Sequence, residues 1–67
     1  MIMTQTTSLH DAIIDLWHIS RTALATQSSS RYDRMLYVKK ELSRSYPSLI
    51  IGYSGKALWF AIEDAIN

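Results

Sequence analysis

The chain contains no cysteine, so neither a disulfide nor a thiolate-bound metal can brace its fold. That absence weighs on a chain of 67 residues, close to the size at which one hydrophobic core only just suffices. Dense helix packing or association with another chain is the expected compensation. An excess of one charge is lacking too: seven Lys and Arg against six Asp and Glu leave a formal +1. This balance speaks against strong electrostatic capture of nucleic acid or an acidic membrane, while leaving room for a local basic patch. No apolar run approaches the roughly 20 residues that span a bilayer. The run from Ala57 to Ile62 is cut short by Glu63 and Asp64. Met1-Ile2-Met3-Thr4-Gln5 has neither the basic start nor the long apolar segment of a secretory signal. A soluble, cytoplasmic protein without membrane contact is the expectation. Proline occurs once and glycine twice, and Pro47, Gly52 and Gly55 all fall in one short stretch.

What is present is an apolar content of 48%, too high for a disordered chain, arranged at helical spacing. Residues 1–7 are polar and Thr-rich and read as a flexible arm. Ser8 followed by Asp11 is a weak capping box. Beyond it Leu9, Ala12, Ile13, Leu16, Ile19, Ala23 and Leu24 share one face, which predicts a first helix over 9–25. Asp11, Asp15, His18 and Thr22 lie opposite, and Ile14 and Trp17 fit neither side. Thr26 to Ser30 is a turn cluster, with Ser30 and Asp33 repeating the cap pattern. A second helix over 31–45 follows. Its apolar arc holds Tyr32, Met35, Leu36, Val38 and Leu42, extended by Tyr46; its outer arc carries Arg34, Tyr37, Lys40, Glu41 and Arg44. Pro47 ends it, because the residue before a proline is pushed out of the α region.

Leu49-Ile50-Ile51 is apolar, with β-branched Ile50 and Ile51, but has no second strand to pair with inside the chain. It reads as part of a short extended connector at 47–53, in preference to a strand shared between two chains. Gly52 to Gly55 forms a turn into a third helix over 55–66, capped by Ser54. That helix is the most apolar element. At about 100° per residue its apolar side chains cover more than half the circumference, which marks it as the expected hub of the core. The prediction is an all-α, three-helix single domain over 8–67.

Chemistry is harder to find. Gly52-Tyr53-Ser54-Gly55-Lys56 is too short for a P-loop, and Ala57 stands where Ser or Thr is required. It lacks the second glycine of a nucleophile elbow, since Lys56 occupies that position. A structural turn explains it better than an anion site at the helix start. Asp11, Asp15 and His18 share a helix face, but a solvated face has the same look, and no metal site is expected. No nucleophile is paired with a base, so no catalytic residue, no cofactor and no enzymatic activity are expected.

The aromatics that miss the core stripes are more informative. Trp17, Tyr37 and Phe60 sit among polar residues, and such side chains mark surface that something else covers. The leading expectation is a small interaction module that binds another protein, acting as a homodimer. Its anchors are Trp17, Tyr37 and Phe60, and its rim includes Arg34 and Arg44. The alternative is a DNA-binding regulator that contacts phosphates through Arg31, Arg34, Lys39, Lys40, Arg44 and Lys56. Near-neutral total charge and an apolar third helix weigh against it.

Overall fold

Ser8, Ser30 and Ser54 each hold extended backbone immediately before a helix in a computed structural model that describes residues 8–24 and 30–67. Three α-helices result: α1 (Leu9–Ala23), α2 (Arg31–Ser45) and α3 (Gly55–Ile66). The expected arm at 1–7 and the turn residues 26–29 lie outside the described residues. Ser30 builds a full capping box: its hydroxyl accepts from the Asp33 N–H at 3.1 Å, and the Ser30 N–H donates to Asp33 Oδ2 at 3.3 Å. Ser8 makes half of one, accepting from the Asp11 N–H at 3.1 Å. Ser54 has the cap dihedrals but no side-chain capping bond. Three residues on from it stands Ala57, which offers no reciprocal partner.

The bounds of α2 and α3 coincide with the sequence expectation, while α1 stops two residues short of Ala25. Leu24 already leaves helical dihedrals (φ −109°, ψ 18°), and its N–H turns back to the carbonyls of Ser20 and Thr22.

The connector departs more from expectation. Pro47–Ile50 forms a single 3₁₀ turn instead of an extended segment, with Pro47 at its start. Proline suits that position because its ring fixes a helical φ and its missing N–H would have no partner there anyway. The Leu49 N–H donates to the Tyr46 carbonyl at 3.0 Å, and the Tyr53 N–H to the Ile50 carbonyl at 2.9 Å. The coil tucks Leu49 and Ile50 against the core and leaves Ile51 77% exposed. Gly52 takes φ 89°, in the region that favours glycine, and turns the chain toward α3. No strand occurs among the described residues.

The core is shared by all three helices. Ala12, Ile13 and Leu16 come from α1, Met35, Val38 and Leu42 from α2, and Leu58 and Ile62 from α3. α3 contributes the fewest fully buried side chains, Leu58 and Ile62, while Trp59, Ala61, Ala65 and Ile66 also pack against the cluster; of its expected apolar arc only Ala57 faces water. In the first two helices the buried stripe is also turned from the expected one. Ile19 is 44% exposed and Ser20 fully buried, while Leu36 is 41% exposed on α2.

Candidate protein-contact face

The outward face of α3 carries Lys56, Ala57, Phe60, Asp64 and Asn67, all exposed. It arises because Leu58 and Ile62 fix which side of the helix enters the core, and Phe60 sits between them, about 200° round from each. Phe60 is consequently 59% exposed. One shoulder of this face is aromatic: Trp59 is half-buried and its ring meets that of Tyr32 on α2, centroids 5.4 Å apart at 54°. The other shoulder falls into a shallow groove of about 160 Å³ between α1 and α3. Leu9, His10 and Ile13 line it from α1, Ala61, Asp64 and Ala65 from α3, and Tyr53 closes it from the connector. Lys56 and Asp64 form no ion pair with any described residue.

The other aromatic candidates lie elsewhere. Trp17 and Tyr37 are half-buried and pack against the core cluster. Trp17 also carries a cation: the Arg34 guanidinium stacks over its ring at 3.8 Å. Arg34 Nε donates to Ser20 Oγ at 2.8 Å, and its Nη2 donates to the Trp17 carbonyl at 2.7 Å. The Ser20 hydroxyl donates to the same carbonyl at 2.6 Å. Arg34, placed by the sequence on an outer arc, is thus a clamp between α1 and α2. Burial, and then the neighbouring charge of Arg21, press its pKa below the usual arginine value. Guanidinium is so strong a base that it stays cationic at neutral pH regardless. Sequence reasoning missed this clamp. The signal was a serine, Ser20, in phase with Ala12, Ile13 and Leu16, where an apolar residue would be expected.

The remaining basic candidates are spread out. Arg31 Nη2 donates to Asn67 Oδ1 at 2.5 Å, joining the start of α2 to the end of α3. Arg44 is exposed and lies 3.6 Å from Glu41 one turn before it. Lys40 and Lys56 are exposed and Lys39 half-buried. Three of the six cations therefore have partners within the chain. Asp11, Asp15 and His18 are exposed, and no three His, Asp or Glu side chains among the described residues converge on a point that could hold a metal. No helix among the described residues is long and apolar enough to cross a membrane.

Comparison with protein-family models, with curated proteins and with solved structures finds no match for this chain.

Proposed function

We propose that the protein is a non-catalytic interaction module that binds another protein through the outward face of α3, with Phe60 as the anchor. The exposure of Phe60, 59% of its surface in a chain with little apolar area to spare, carries this reading. Buried aromatic anchors dominate protein contacts, and a phenylalanine left in water forgoes burial worth roughly 1.5–3 kcal/mol. Trp17 and Tyr37 belong to the margin of the contact, since both already pack against the core. The Tyr32–Trp59 pair gives the anchor an aromatic flank on one side, and the shallow groove on the other offers a mixed lining of Leu9, Ile13, Ala61 and Ala65 with His10, Tyr53 and Asp64.

The phosphate-binding alternative has less support. Arg34 faces Trp17 and Ser20, and Arg31 and Arg44 face Asn67 and Glu41, which leaves Lys39, Lys40 and Lys56. One experiment separates the two readings. Wild-type protein and Phe60→Asp are each used as bait in extract of the native host, with and without nuclease treatment. Proteins held by the wild type and lost with Phe60→Asp are the expected result. Retention that ends with nuclease treatment, or that ignores Phe60, would overturn the proposal. Nucleic-acid binding through the cations would further weaken steeply with salt in a gel shift.

A further inference from the structure

Of the three charged residues on α3, Glu63 is half-buried and the two exposed ones, Lys56 and Asp64, are placed symmetrically about Phe60. Lys56 stands four residues before it and Asp64 four residues after it, with opposite sign and no ion-pair partner among the described residues. On a helix each lies about 6 Å along the axis from Phe60 and about 40° to either side of it. We propose that the partner of this face is a second copy of the same chain, packed with α3 antiparallel to its mate about a two-fold axis at Phe60. This rests on the reading of Phe60 as a contact anchor.

The geometry follows from the numbering. In an antiparallel two-fold pair centred on residue 60, position 56 of one copy lies at the level of position 64 of the other. Lys56 then meets Asp64 of the second copy, and the symmetry repeats the pair at the other end. A parallel pair would set Lys56 against Lys56 and Asp64 against Asp64, which is repulsive at both ends. Contacts of this kind are self-complementary, as a two-fold interface must be. The residue beside Phe60 on the same face, Ala57, is small and exposed, so the helices can approach closely enough for the two phenylalanine rings to bury one another. The lysine stem is long enough to reach across the seam while its head stays hydrated.

Charge exchange tests this in sedimentation equilibrium. Wild-type protein is expected to dimerise. Lys56→Glu alone sets acid against acid at both ends, and Asp64→Lys alone sets base against base. Each should weaken self-association by roughly tenfold, as two exposed ion pairs become repulsive. Mixing the two variants in equal amounts gives opposite charges at both ends of a mixed pair. Association should return to within about threefold of wild type. The double variant Lys56→Glu/Asp64→Lys should dimerise with itself to the same degree, whereas Phe60→Asp should be a folded monomer. Wild-type protein that stays monomeric near millimolar concentration overturns the inference, as does a dimer indifferent to these exchanges. Either result leaves the broader reading standing if the extract experiment still finds a Phe60-dependent protein partner. If Phe60→Asp dimerises as wild type does, the anchor itself is misassigned and both fall.

Discussion

Ile62→Ala is expected to cost about 2–5 kcal/mol of folding stability, the range for truncating a fully enclosed aliphatic side chain. The magnitude follows from where the side chain sits. Ile62 is 0% exposed and belongs to the cluster formed with Ile13, Val38 and Leu42. With the helices on either side fixed by their own packing, the space left behind cannot collapse fully, so the lost contacts add to the lost transfer energy. A chain this short has a total stability of roughly 3–10 kcal/mol, so the variant stands near the edge of folding. Urea denaturation followed by circular dichroism reads the change directly. Because the core is shared among three helices, Leu42→Ala on α2 should cost a similar amount. If Ile62→Ala were severe and Leu42→Ala mild, α3 would after all be the hub that its composition suggests.

The second large effect is expected at Arg34. Arg34→Ala removes two hydrogen bonds from a charged donor, to Ser20 Oγ and to the Trp17 carbonyl, together with the stacking over Trp17. Hydrogen bonds to charged groups are worth about 1.5–3 kcal/mol each, but the site is only partly buried and the contacts are not additive. A net loss of about 1.5–3 kcal/mol is therefore expected, the low end reflecting competition from water. Arg34→Lys should recover little of it. An ammonium on a flexible stem cannot lie flat on the indole while serving two acceptors set at the fork of a guanidinium. Trp17 fluorescence should shift in both variants, since the cation leaves the ring face. A denaturation midpoint for Arg34→Lys equal to wild type would mean that charge alone suffices and that the fork geometry is incidental.

These two sites mark what could and could not be read from the chain. Caps and periodicity located the helices well. Ser30 with Asp33 fixed the start of α2, and Pro47 fixed its end, because both act within a few residues of themselves. The exposure of Phe60 was legible for the same reason: its angle from Leu58 and Ile62 is a property of one helix. The rotation of the buried stripe on α1 was not legible. Ile19 is more apolar than Ser20, and the buried serine is satisfied by donating back to the Trp17 carbonyl and accepting from Arg34 of α2. The contact with Arg34 joins residues 14 apart in sequence, and its one local trace is the serine in phase with Ala12, Ile13 and Leu16. The 3₁₀ turn was missed for a related reason. The β-branched character of Ile50 and Ile51 argued for extension, but burial of Leu49 and Ile50 against the core outweighs that local preference. The apolar arc of α3 does turn inward apart from Ala57, but its composition could not show that α1 and α2 bury as much of the core as it does.

The separation between folding and contact can be measured at Phe60 itself. Urea denaturation of wild type and Phe60→Asp is compared at a concentration at which sedimentation shows the wild type to be monomeric. If Phe60 stands outside the fold, the variant loses less than about 1 kcal/mol, mostly from the lower helix propensity of aspartate and the partial exposure the ring already has. A loss of 2 kcal/mol or more would mean that Phe60 is held by its own chain, and the outward face of α3 would then lack its anchor.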